Sequence, residues 1–245
     1  MKGIPMEQTV RQEFCGVVLA AGLSTRMGAF KPLVPLCGKP LIQNSIDHML
    51  SGGATTVVVV VGFHATEMEA LLSSAYGPEV QVVYNPQFAT RDMMYSIQVG
   101  CAHLPPCDAF FLLPGDMPVI QPATFRLLID AWRRRPGGVI FPTLEGYRKH
   151  PPLIASALVP AIRSFQGNGG LRQFWAETDA ELRNVAVDDQ GVWVDVDTPE
   201  DYRGCRNRYE NERMMHQEGC NGKDQSVGGE ERPCAESIWP QHLCG

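Results

Sequence analysis

Three short segments of the chain combine residue types that suit phosphate chemistry. The first is Cys15 to Lys31, CGVVLAAGLSTRMGAFK, in which an apolar run stops in a glycine-containing loop carrying Arg26 and Lys31. A guanidinium grips two phosphate oxygens in a fork and an ammonium acts as a point charge, so the pair suits a triphosphate whose charge shifts during reaction. Ala20, Ala21 and Gly22 remove side-chain bulk where the chain turns, which lets a ligand approach the backbone N–H groups. The spacing is not that of a P-loop, because five residues rather than four separate Gly22 from Gly28 and no Lys-Ser/Thr follows. Nor is it G-x-G-x-x-G, which removes the simplest dinucleotide reading.

The second segment is Pro114-Gly115-Asp116-Met117-Pro118, which sets one carboxylate just past the apolar run Phe110 to Leu113. An Asp in that place caps the following turn or binds a cation. Phosphoryl chemistry needs a hard cation bridging phosphate oxygens, and Mg²⁺ takes only one or two protein carboxylates, so Asp116 is the first candidate ligand. The third segment, Asp195-Val196-Asp197-Thr198-Pro199-Glu200-Asp201, offers the second carboxylate. Strand alternation would send Asp195 and Asp197 to one face. Asp197 also suits the N-cap of a helix with Pro199 in its first turn and Glu200 and Asp201 near its positive end. The expectation is Asp195 as ligand and Asp197 as cap or support.

These loops need a frame. Val17 to Leu19 reads as a strand buried on both faces, and Thr55 to Val61, Val80 to Tyr84 and Ala109 to Leu113 are further branched or apolar runs. Between them, Leu41, Ile42, Ser45, Ile46, Met49 and Leu50 make one helical stripe, and Met94, Ile97, Cys101 and Leu104 another. Alternation of strand and helix predicts an α/β domain with a mainly parallel sheet and helices on both faces, ligands binding at the carboxyl ends of the strands. After Pro136-Gly137-Gly138, Val139 to Phe141 reads as a short strand. Val185 to Val187 and Val192 to Val196, joined by a turn at Asp188 to Gly191, read as two more strands in a mixed edge. Gly167-Asn168-Gly169-Gly170-Leu171-Arg172 opens a helix whose N–H groups could accept an anion.

With the residues in place, a resemblance emerges. LAAGLSTRMGAFK resembles the L-A-[AG]-G-x-S-x-R-[MF]-G-x-x-K signature of nucleotidyltransferases of the molybdenum-cofactor type, the MobA-like NTP transferases. P-G-D-M-P resembles the family's metal-binding loop and D-V-D-T-P-E-D its late D-x-D-T-P-E-D element, so the likeness spans about residues 15 to 203. It implies a single Rossmann-like, GT-A-like domain with a mainly parallel mixed sheet flanked by helices. It also implies Mg²⁺-dependent nucleotidyl transfer in which Arg26, Lys31 and Asp116 carry the chemistry and Asp116 and Asp195 hold the metal. Leu19, Ala20, Ala21, Gly22, Ser24, Arg26, Lys31, Pro114 and Gly115 would line the nucleotide, and Val60-Val61-Gly62 ends a strand where family members line the base. Asn85-Pro86 and the stretch to Ser96 resemble N-P-x-(x)n-G-x-x-x-S-[VI], with Asn85 near the ribose or base and Ser96 opening a helix. Here Arg91-Asp92-Met93-Met94 stands where a glycine and small residues are common.

His150-Pro151-Pro152-Leu153-Ile154 resembles the acceptor-facing G-H-P-x-L element, with Lys149 in place of the glycine; a lone His is more often structural. Asn168 and Gly169 complete the acceptor side in that comparison. L-A-A-G, as in Leu19 to Gly22, resembles the cytidylyl branch, and a methyl on Ala21 would narrow the space beside the base. The resemblance therefore implies transfer of CMP from CTP to molybdopterin cofactor, giving molybdopterin cytosine dinucleotide and pyrophosphate, with delivery to a molybdenum hydroxylase apo-enzyme. The alternatives are a guanylyltransferase, a sugar- or alcohol-phosphate nucleotidyltransferase, or a non-catalytic nucleotide-binding chaperone in molybdoenzyme maturation.

Bulk properties fit a small-molecule site. The 245 residues are 44% apolar with net charge −6, which suits one sizeable domain and gives no general attraction to nucleic acid or an anionic membrane. No apolar run approaches the roughly 20 residues that span a bilayer, and MKGIPMEQTVRQE lacks a signal core, so a cytoplasmic protein is expected. The eight cysteines show no C-x-x-C spacing, and reduced thiols are the expectation. The predicted division is an N-terminal extension over 1–13, the catalytic domain over 14–210, and a polar, flexible tail over 211–245.

Overall fold

The computed structural model describes residues 12–22 and 30–207; Ser24, Arg26, most of the N-terminal extension and the polar tail lie outside the described residues. The described strands are β1 (Phe14–Ala20), β2 (Pro35–Leu36), β3 (Lys39–Pro40), β4 (Thr56–Val61), β5 (Val80–Tyr84), β6 (Ala109–Pro114), β7 (Val139–Leu144), β8 (Tyr147–Arg148), β9 (Leu153–Ala155) and β10 (Leu182–Ala186). The helices are α1 (Leu41–Ser51), α2 (Ala65–Ala75), α3 (Met93–Ala102), α4 (Pro122–Arg134), α5 (Val159–Ser164) and α6 (Gly170–Glu177), followed by a helical run over 199–207, α7.

The main sheet has the order β10-β7-β9-β6-β1-β4-β5, with β8 beside β7, and β2 and β3 form a separate antiparallel hairpin. β6, β1, β4 and β5 are mutually parallel, as are β10 and β7; β9 runs antiparallel between β6 and β7. The sheet is thus mainly parallel and mixed, as the alternating pattern predicts. The reason is visible in β4, whose five consecutive valines Val57 to Val61 are all buried: a strand covered on both faces has no polar side to present. Ile42, Ile46 and Met49 of α1, Met68 of α2 and Phe125 and Trp132 of α4 fill one apolar layer. Met94 and Ile97 of α3, Ile162 of α5 and Phe174 of α6 fill the other. β1 sits centrally, so the turn that begins at Ala21 and Gly22 leaves the sheet with β4 on one side and β6 on the other.

Two expectations at the far edge are corrected. Leu182–Ala186 forms the strand, and Val192 to Val196 does not: Gln190–Trp193 is a 3-10 turn. Asp189 causes it. Its buried carboxylate accepts from Gly191 N at 2.8 Å, Gln121 N at 2.9 Å and Thr124 Oγ1 at 2.6 Å, which bends the chain onto the start of α4 instead of along a neighbouring strand. The run after the turn still alternates, with Val196 buried between the exposed Asp195 and half-buried Asp197.

Candidate active site

The register of the parallel strands decides which loops meet. Leu19 pairs with Val60 on one side and Pro114 on the other, so the Ala20-Ala21-Gly22 turn and the Pro114-Gly115-Asp116 turn leave the sheet side by side. Gly115 N donates to Leu19 O at 2.9 Å, and a Cβ on Gly115 would meet Ile42 Cδ1 at 2.9 Å, which is why the second turn crosses so close to the first. Between them opens a cleft of about 280 Å³ lined by Leu19 to Gly22, Lys31, Ser96 and Pro114 to Asp116.

Lys31 begins a short 3-10 turn and is only 7% exposed. Its Nζ pairs with Asp197 Oδ1 and stands 3.8 Å from Asp116 Oδ2, so the early lysine bridges the two carboxylate loops predicted from sequence. Burial raises the pKa of Asp116; Lys31 and a backbone N–H oppose the rise, and Asp197 and Asp195 add to it. Asp116, Asp195 and Asp197 therefore share one electrostatic neighbourhood. Val196 N donates to Asp116 O at 3.0 Å, fastening the late segment to the β6 turn through the backbone.

Asp197 is not the helix cap. Thr198 is, in a capping box: Thr198 N and Oγ1 each donate to Asp201 Oδ2 at 2.7 Å, and Asp201 N donates back to Thr198 Oγ1 at 3.2 Å. Asp197 N shares the same acceptor, so its own carboxylate is left to Lys31. Among the described residues no three His, Cys, Asp or Glu side chains form a group that could hold a metal by themselves. The donor set of two hard carboxylates, Asp116 and Asp195, fits a cation that takes its remaining ligands from water and a bound substrate, the habit of Mg²⁺.

Other sequence candidates fall outside this lining. Asn85 is fully buried: Nδ2 donates to Ser96 Oγ at 3.0 Å and Oδ1 accepts from Gln87 N at 2.9 Å, so it positions Ser96 from behind. Gly62 backs the cleft, where a Cβ would meet Phe88 Cβ at 2.5 Å and Ala21 O at 2.7 Å. The Ala21 methyl belongs to the apolar cluster of Val60, Met94 and Ile97, which weakens the argument that it narrows the space for a base. His150 Nδ1 lies 3.3 Å from Leu112 O; burial lowers its pKa, leaving a neutral ring with Nδ1–H donating. Lys149 beside it stacks its ammonium on Trp193.

Asn168 lines a second cleft between the start of α3 and the loop before α6, together with Arg91, Asp92 and Tyr95. The Gly169 N–H, expected to be open to an anion, is already given to Gln173 Oε1 at 2.8 Å. Sequence reasoning noted Arg91, Asp92 and Met93 without assigning them to the site and did not name Phe88 or Pro32; all five line the first cleft. For Arg91, Asp92 and Met93 the signal was present as the departure from glycine at residues 91–94.

Comparison with known proteins agrees with this geometry. Residues 16–183 match the family model described as MobA-like NTP transferase domain. The chain is 25% identical over 193 residues to the molybdenum cofactor cytidylyltransferase of Escherichia coli K12, covering 79% of this chain and 95% of that one. It is 29% identical over 192 residues to the nicotine blue oxidoreductase of Paenarthrobacter nicotinovorans, covering 76% and 92%. Among solved structures, Rv0371c of Mycobacterium tuberculosis H37Rv superposes with a TM-score of 0.68 at 26% identity, covering 78% and 96%. That protein has also been solved as a complex with manganese, with a TM-score of 0.63 at 24% identity, covering 78% and 97%.

Proposed function

Since the chain belongs to the MobA-like NTP transferase family and is a nucleotidyltransferase, we propose that it transfers CMP from CTP to molybdopterin cofactor with release of pyrophosphate. The observation that carries the reading is the buried Lys31 ammonium held between Asp197 and Asp116 at the carboxyl edge of the sheet, with Asp195 beside them. Such a site concentrates opposite charges where a triphosphate would arrive. Lys31 and Arg26 bind phosphate oxygens and take up the charge that grows on the departing pyrophosphate. Leu19 to Gly22 let the phosphates approach the backbone, and Asp116 and Asp195 are the carboxylates that would hold a divalent cation beside them. Mg²⁺, when bound there, supplies the charge that neutralises the phosphates. A phosphate oxygen of the acceptor attacks the α-phosphorus in line, so no covalent intermediate on the protein is needed. The manganese complex of the structural relative supports a divalent ion. The molybdenum cofactor relative supports the acceptor; a molybdenum hydroxylase apo-enzyme as the recipient of the product is what the resemblance in the sequence implies.

The test is pyrophosphate release from CTP, GTP and ATP in parallel, with Mg²⁺ and molybdopterin cofactor. Release with CTP alone is expected. Release with GTP alone would keep the mechanism and reassign the nucleotide, and silence with all three would overturn the acceptor.

A further inference from the structure

At the amino end of the sheet, away from the cleft, three free thiols gather on one face. Cys15 of β1 and Cys101 of α3 are buried, and Cys107 lies half-buried in the loop that enters β6, between exposed Pro106 and Asp108. The backbone brings Cys107 to Cys15. Asp108 N donates to Glu13 O at 2.9 Å and Glu13 N donates to Asp108 Oδ2 at 2.8 Å, which laces the entry of β6 to the entry of β1. On the other side Ser156 N donates to Asp108 O at 3.0 Å, and Ser156 Oγ lies 3.1 Å from Cys107 Sγ. The Cys15 thiol closes the set by hydrogen-bonding the Cys107 sulfur. Cys101 feels the charge of Cys107 without sharing a hydrogen bond with it.

We propose that Cys107 and Cys15 form an oxidisable pair, in which a peroxide oxidises Cys107 and Cys15 resolves it as an intramolecular disulfide. Donors converge on the sulfur that solvent can reach. The hydrogen bond from the Cys15 thiol, joined by Ser156 and the Cys15 backbone, lowers the Cys107 pKa to about 7, against burial and the Asp108 carboxylate. Giving that bond and being buried raise the pKa of Cys15, so the two thiols divide into an attacking and a resolving one. The Cys107 thiolate attacks one peroxide oxygen; the O–O bond breaks, and the departing hydroxide takes a proton to leave as water. Cys15 sulfur then attacks the sulfur of the sulfenic acid: an S–S bond forms, the S–O bond breaks, and the hydroxide leaves as water with the proton of the Cys15 thiol. Two thiols have supplied two electrons to one peroxide, and two waters result. The bond joins the entries of the two strands whose far ends carry the Ala20-Ala21-Gly22 turn and Asp116. Neither cysteine lines the cleft, so this pair is independent of the nucleotide-transfer reading.

The experiment treats the full chain with hydrogen peroxide at neutral pH, removes the peroxide with catalase, alkylates the remaining thiols in denaturant and maps the digest by mass spectrometry. A peptide linking Cys15 to Cys107 is expected, with alkylation of both falling by about tenfold and returning after dithiothreitol. Two variants assign the order of events. Cys15→Ala should leave Cys107 as a sulfenic acid that dimedone captures, and Cys107→Ser, which keeps a hydrogen-bonding group beside Ser156, should leave Cys15 fully alkylated after the same treatment. The linked peptide is read on the wild type, so the pairing is tested whether or not either variant folds. Absence of that peptide would overturn the pair. A Cys101–Cys107 link in its place would overturn the role of Cys15, and loss of Cys15 alkylation in Cys107→Ser would overturn Cys107 as the first thiol oxidised.

Discussion

Asp116 carries its charge at a cost set by its surroundings. Burial raises its pKa above 3.8, and Lys31 only partly opposes the rise. The folded chain therefore holds that proton more tightly than the unfolded one, and stability falls as pH climbs from about 3.8 through the raised value. Asp116→Asn removes the burdened charge and leaves Lys31 its partner Asp197. The expected result is a thermal midpoint at pH 7 no lower than wild type, a flatter acid limb, and turnover reduced by about 10²-fold or more, read by calorimetry and pyrophosphate release. Turnover near wild type would refute the ligand role. Residue type and order were enough to single out Lys31 and Asp116, which the fold brings into one cleft 3.8 Å apart. They misplaced Asn85, because spacing says which loop a side chain leaves from and not which of its atoms are already spent; only the Gln87 and Ser96 bonds show that.

The parallel core strands were legible because their runs are apolar throughout, a pattern that survives whatever the neighbours are. The 192–196 segment was not. Its valines alternate as in a strand, but Asp189 bonds to Gln121 and Thr124 across the sequence and fixes a turn that no local window contains. α7 was read correctly as a helix and capped one residue early, since Asp197 and Thr198 are both good caps and only the reciprocal bond with Asp201 separates them. That box holds the run bearing Asp195 and Asp197. Thr198→Ala should cost about 1 kcal/mol of stability and lower turnover several-fold, with Thr198→Ser restoring both. Lost stability with full turnover would show that the box supports the helix and not the carboxylates.

Alternating strand and helix made the layered α/β architecture legible, whereas the antiparallel insertion of the three-residue β9 between β6 and β7 has no sequence signature of its own. With a net charge of −6, the molecule holds a polyanion only where local cations and a metal permit. Mg²⁺ and CTP together, at about 100 times the dissociation constant, should stabilise the chain by about 2.7 kcal/mol, a midpoint rise of about 5–10 °C. Either alone should give much less, and Asp116→Asn should abolish the rise; an equal rise with CTP and a chelator would exclude a metal-dependent site. The late segment has a last consequence. Val196 clasps Asp116, Asp197 pairs with Lys31, and Tyr202 O–H donates to Pro35 O, so residues beyond β10 complete a site begun near residue 19. A nascent chain leaving the ribosome has β1, β4, β5 and β6 in hand well before it has those contacts. Translation thus supplies the central strands first and the last of the pocket's contacts afterwards, and a chain that stops between the two has Asp116 beside Lys31 but lacks Asp197.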